Sequence, residues 1–139
     1  MSLVNKEKII TLTSEVQQAL QFLKEYARLP AAEVIGNRER LGNLKYQFIV
    51  ALEACIDICQ HVSAKLFSQA PESYANCFEI LRQKNVLDES LSEQMAELAR
   101  FRNVLVHLYW KVDDARVVEN LHKLHAVDSY LRAIATLVR

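Results

Sequence analysis

Turn-formers are scarce in this chain: two glycines and two prolines in 139 residues. So few cannot supply the tight reversals of a multistranded sandwich or barrel. The abundance of Leu, Ala, Glu, Gln, Lys and Arg is instead that of a helical protein. Net charge is missing too, with 17 basic residues against 17 acidic ones. The molecule as a whole therefore has no field to draw in a polyanion from a distance, and any nucleic-acid contact must be local. Long apolar runs are also absent. The stretch from Phe48 to Cys59 comes nearest, and Glu53 and Asp57 interrupt it, so no membrane span is expected. No hydrophobic signal region opens the chain either. The three cysteines, Cys55, Cys59 and Cys77, form no even set and no C-x-x-C pair. Lying inside apolar patterns, they read as reduced, buried thiols of a cytoplasmic protein.

What is present is a globular balance, 51% apolar and 24% charged, on a chain long enough for one core, so a single domain over residues 1–139 is expected. The fold class is all-α. Helical periodicity marks five segments. The first runs from about Asn5 to Arg28, with Ile9, Leu12, Val16, Leu20 and Leu23 at spacings of three and four, and Pro30 stops it. After a loop holding Gly36 and Asn37 comes the longest, with Leu41, Phe48, Leu52, Cys55, Cys59, Val62 and Leu66 on one stripe ending before Pro71. A third spans about Ser73 to Lys84. Asp88 or Ser90 caps the fourth, which carries Leu91, Leu98, Phe101, Leu105 and Leu108. Asp113 and Asp114 stand where a cap for the fifth belongs, near Ala115 to Val138. Short connections favour antiparallel neighbours, hence an up-and-down bundle of four to five helices.

Chemistry concentrates at the end of the fourth helix, from Arg100 to Trp110. At about 100° per residue, Asn103 and His107 fall together opposite the core stripe, four residues apart, while Arg102 and Tyr109 share another edge. Ala99, Val106 and Trp110 form a second apolar side that a lone protomer leaves exposed. On the long helix, Tyr46, Val50, Glu53, Asp57 and Ala64 lie away from the core stripe. A homodimer packed through these sides gathers two copies of Arg102, Asn103 and His107 around one groove. The plainer alternative has Val106 and Trp110 covering the fifth helix, Arg102 paired with Glu53 or Asp57, and His107 satisfied at a helix end.

Metal-independent RNA cleavage gives a chemical reason for pairing. The 2′-hydroxyl attacks, so one group must remove its proton and another must protonate the leaving 5′-oxygen. Two imidazoles titrating near neutrality divide that work, and Arg102 offers fixed donors to the charge growing on the phosphoryl oxygens. Asn103 orients His107 or a phosphate. The products are a 2′,3′-cyclic phosphate and a free 5′-hydroxyl, and no cofactor is needed.

The string Arg102-Asn103-x-x-x-His107-x-Tyr109, preceded by Phe101 and followed by Asp113, resembles the R-x4-H-x-Y motif of HepT-like toxins in the HEPN superfamily. The long helix through Ala51-Leu52-Glu53-Ala54-Cys55-Ile56-Asp57-Ile58 is similar to that family's corresponding helix. The resemblance implies a small helical bundle that forms homodimers, sometimes larger assemblies, and acts as a ribonuclease toxin. It implies that Arg102 and His107 are catalytic and that Asn103 is the polar residue following the arginine. It also implies a partner, a minimal nucleotidyltransferase antitoxin of the MNT type that transfers AMP from ATP to Tyr109. Added phosphate charge and adenosine bulk beside His107 would repel the RNA and fill the groove. The superfamily also includes silent modules that bind a nucleotide or a partner protein, with Arg102 then an anion anchor.

Two other clusters hold metal-ligand residue types. Glu119-x-x-His122-x-x-His125 is half of a di-iron carboxylate pattern, but no second Glu-x-x-His completes it, and His61 lacks a glutamate three residues before it. Cys55 and Cys59 have a helical i, i+4 spacing that places them in the core stripe, where packing is their role. No metal site is expected.

Overall fold

Most helix starts follow one local device. Asn5, Asn37, Ser73, Asp88 and Asp113 each turn a side-chain oxygen onto a backbone N–H two or three residues ahead, and a helix begins directly after each, which satisfies one of the donors a first turn leaves unpaired. In the computed structural model, which describes residues 4–139, these helices are α1 (Lys6–Ala27), α3 (Arg38–Phe67), α4 (Tyr74–Gln83), α5 (Glu89–His107) and α6 (Asp114–Glu119). Between α1 and α3 lies a short α2 (Ala31–Ile35), and α7 (Leu124–Leu137) ends the fold. The all-α expectation holds, and five of these helices have ten residues or more. None is long and apolar enough to cross a membrane among the described residues.

The largest departure from expectation is at the end of the chain. In place of one fifth helix, α6 and α7 are separated by a 3-10 turn over Asn120–Lys123. Asn120 is the physical reason: its side-chain amide donates to the Arg116 carbonyl at 2.8 Å, and its backbone N–H is shared among the carbonyls of Arg116, Val117 and Val118. Such local bonding competes with the regular ladder. The second departure is α2, which occupies what reads as loop. Pro30 stands immediately before it, and Gly36 closes it where a Cβ would meet the Ala32 carbonyl oxygen at 2.8 Å.

α3 is the central element. It packs against α1, α2, α4 and α5, and α5 packs in turn against α4 and α7. The predicted stripes are buried: Ile9, Val16, Leu20 and Leu23 on α1, Phe48, Leu52, Cys55, Cys59 and Val62 on α3, and Leu98, Phe101 and Leu105 on α5. Each large apolar side chain removed from water in this way contributes about 1.5–3 kcal/mol. Phe48 meets Phe101 edge-on at 5.2 Å, and Phe78 meets Tyr130 at 5.5 Å. The Tyr130 hydroxyl donates to the Cys55 carbonyl at 2.9 Å. Burial, and then the neighbouring Cys55, hold this phenol well above its ordinary range.

Three further expectations do not hold. Ala99 is buried rather than exposed, on a helix flanked by α3, α4 and α7. Leu108 leaves the core stripe, since α5 ends at His107 and Leu108 is 47% exposed. Cys59 and Cys77 are not free thiols: they are joined across α3 and α4, with Cα atoms 6.1 Å apart, a separation that disulfides commonly span. Cys55 alone keeps a free thiol, pushed up by complete burial.

Candidate functional site

α5 presents two different sides. On the first, Arg102 is fixed from several directions. One terminal nitrogen donates to Glu53 Oε1 of α3 at 2.5 Å and the other to Asn103 Oδ1 at 3.0 Å. Its guanidinium carbon lies 5.3 Å from the centroid of the Tyr74 ring at the start of α4. The side chain is 14% exposed, and its Nε is buried without a partner among the described residues. Glu53, Ile56, Asp57, Tyr74 and Arg102 line a cleft of about 160 Å³. The Asp57 carboxyl is held above its ordinary range, first by burial and then by the Glu53 charge, against the opposing pull of Lys8 and Arg102. Two carboxylates therefore face one guanidinium, and only Glu53 is bonded to it.

His107 is on the other side. It is the last residue of α5, exposed, and its side chain makes no hydrogen bond among the described residues. Five residues of helix separate it from Arg102, about 140° around the axis and about 7.5 Å along it. One chain thus does not aim both groups at one point. The expected contact of Asn103 with His107 is replaced by the bond from Arg102, which takes the Asn103 oxygen. Val106 and Trp110 are exposed as the patterning predicts, Trp110 by 79%, together with Leu108 and Tyr109. Tyr46 of α3 is exposed by 61%.

Tyr109 lies beyond the end of α5, so the shared helix edge with Arg102 does not exist. Its ring is instead covered by the Lys45 ammonium, 4.9 Å from the centroid. Lys45 is nearly buried, its side chain 10% exposed, and bonds Asp114 Oδ1 at 3.0 Å. An ammonium over a ring face is attracted by the ring quadrupole. Lys45 and Tyr74 are the site residues that sequence reasoning missed. For Lys45 a signal exists: it stands at a stripe position, four residues after Leu41 and three before Phe48, where a charge needs a partner. Tyr74 carries no comparable signal, because its approach to Arg102 depends on how α4 docks.

The remaining candidates disperse. His125 Nδ1 lies 3.1 Å from the His122 carbonyl, and His61 Nε2 accepts from the Asn5 backbone at 3.0 Å. Among the described residues no three His, Cys, Asp or Glu side chains gather as metal ligands would.

The family described as Ribonuclease HepT-like matches residues 16–134. The mRNA nuclease HepT of Shewanella oneidensis is 30% identical over 83 residues, which is 59% of this chain and 62% of that protein. Among solved structures, the tri-AMPylated HEPN toxin of Shewanella oneidensis in complex with its MNT antitoxin superimposes with a TM-score of 0.84 at 21% identity, covering 93% of this chain and 97% of that one. The cytosolic protein YutE of Bacillus subtilis, of unknown function, gives a TM-score of 0.74 at 18% identity, covering 99% and 93%. With its family match running over residues 16–134, from α1 into α7, the chain belongs to the Ribonuclease HepT-like family.

Proposed function

We propose that this chain is the toxin of a toxin–antitoxin pair, a metal-independent endoribonuclease whose complete site forms where two copies meet. The observation that carries the reading is the division of labour along α5. Arg102 is pre-set and largely enclosed, His107 is exposed and about 140° away from it, and the apolar Val106, Leu108 and Trp110 beside His107 are left uncovered. A two-fold partner covers that apolar group and brings a second imidazole to the first. One His107 removes the 2′-hydroxyl proton and the second copy's His107 protonates the leaving 5′-oxygen. Arg102, already ordered by Glu53, Asn103 and Tyr74, donates to the phosphoryl oxygens without reorganising. The products are a 2′,3′-cyclic phosphate and a 5′-hydroxyl.

The partner in this reading is an MNT-type nucleotidyltransferase that transfers AMP to Tyr109, as the AMPylated state of the Shewanella toxin suggests by analogy. Tyr109 is exposed and two residues past His107, so a phosphodiester there adds negative charge where RNA phosphate must enter. Incubation with the antitoxin and ATP is expected to add AMP, about 329 Da per transfer, to the wild type and none to Tyr109→Phe. A second reading, a silent module using Arg102 as an anion anchor, draws on the fact that Arg102 is already paired within one chain. An RNA cleavage assay with chelator present separates the two. The nuclease reading expects cutting that disappears in His107→Ala and Arg102→Ala while light scattering still shows a dimer; equal cutting by wild type and variants overturns it.

A further inference from the structure

We propose that the open cleft between α5 and α6, on the side of α5 away from Arg102, is a binding track for the phosphates of a single RNA strand, gripped by Arg100 and Arg116 and leading to His107. The proposal rests on the ribonuclease reading above for what the strand is delivered to.

The cleft holds about 530 Å³, more than three times the space beside Arg102. Its floor is Phe101 and Val104, and its charged rim is Arg100, Arg116 and Lys123 against Glu97 and Glu119. These charges are not interchangeable. Lys123 is taken by Glu97 at 3.3 Å, whereas Arg100 and Arg116 are exposed and have no carboxylate within 4 Å among the described residues. Among the described residues these two guanidiniums remain without a carboxylate, one on each wall, and guanidinium is the side-chain group best matched to phosphate. Glu119 is the one carboxylate left over. It tempers the field, and a carboxylate beside a sugar accepts from a 2′-hydroxyl, which RNA has and DNA lacks.

Placement along the helix joins this cleft to the motif. Arg100 and His107 are seven residues apart on α5, which returns the helix to within about 20° of the same direction after about 10.5 Å. Val104, on the cleft floor, lies between them. A strand held by Arg100 and Arg116 therefore runs toward the exposed imidazole. The break at Asn120 contributes as well: the 3-10 turn supplies Asn120 and Lys123 to the cleft wall.

The test uses the full-length chain with His107→Ala, so that RNA survives, and a fluorescein-labelled single-stranded RNA of about 12 nucleotides read by anisotropy across a salt series. Adding Arg100→Ala and Arg116→Ala is expected to weaken binding about tenfold at 0.1 M salt. It should also lower the slope of log affinity against log salt by about 1.4, the loss of two phosphate contacts. A DNA strand of the same sequence is expected to bind less tightly, with Glu119→Ala closing the gap; equal affinity for RNA and DNA in the parent overturns the Glu119 assignment. Unchanged affinity and slope in the double-arginine variant overturn the track, as does a parent that binds no RNA. If the wild type cuts RNA while the arginine variant binds unchanged, the track falls and the nuclease stands. If binding depends on both arginines but nothing is cut, the nuclease reading falls and the track stands.

Discussion

Arg100 and Arg102 are two residues apart on one helix and share little else. The step of two turns them about 200° from each other, so α5 sends one guanidinium inward between α3 and α4 and leaves the other in solvent. Arg102 is bonded at both terminal nitrogens and lies over the Tyr74 ring; Arg100 is exposed and has no ion-pair partner among the described residues. The inner arginine has lost its rotamer freedom on folding, a cost already met before any substrate arrives. The outer one keeps that freedom. A fixed donor suits one reacting phosphate, and a mobile one suits successive phosphates of varied position.

The strongest way to break this comparison is kinetic. Arg102→Ala is expected to lower kcat/KM for RNA cleavage by about 10²–10³-fold, and Arg100→Ala by less than about tenfold through KM alone. Equal losses would erase the distinction between the sides. Next comes packing: Leu105→Ala, on the fully buried side, should cost about 2–5 kcal/mol in urea unfolding. Its neighbour Val106→Ala, 37% exposed, should stay within about 0.5 kcal/mol at concentrations where the chain is monomeric.

Smaller effects sharpen the electrostatics. Glu53→Gln keeps the shape beside Arg102 and removes one negative charge from Asp57. The Asp57 carboxyl should then titrate lower, seen by NMR, while stability changes by about 1 kcal/mol or less because Glu53 is 46% exposed. Smallest is a pH effect far from the motif. Burial first, then Lys8 and Lys65, hold the His61 imidazole below its ordinary range, and the neutral ring accepts from the Asn5 N–H. The unfolded chain therefore takes up the proton first as pH falls through the ordinary imidazole range, and stability declines from there down to the lowered folded value. His61→Gln should flatten the decline in Tm against pH.

Residues whose roles are set by their own helix were legible in the sequence. The stripes from Ile9 to Leu23 and Phe48 to Val62, the caps at Asp88 and Asp113, and the exposure of Val106 and Trp110 all follow from helical periodicity or from one side chain meeting the next turn. The pairing of Arg102 with Glu53 was also visible, as one of two alternatives. Roles set between helices were not. Linear spacing cannot show that Cys59 meets Cys77, that Tyr74 stands beside Arg102, or that Ala99 is buried within the chain. The break in the last helix was missed because Asn120 reads as an ordinary helical polar residue until its amide is seen on the Arg116 carbonyl.

Lys45 ties three separate stretches at a single nitrogen: its own helix, the turn after His107 through the Tyr109 ring, and the first residue of α6 through Asp114. What it grips on Tyr109 is the π-face, which a phenylalanine presents equally well. Exchanging the phenol for a plain ring thus deletes the acceptor oxygen while the knot stays tied, so any silencing that fails in that variant is attributable to the missing oxygen and not to a loosened turn.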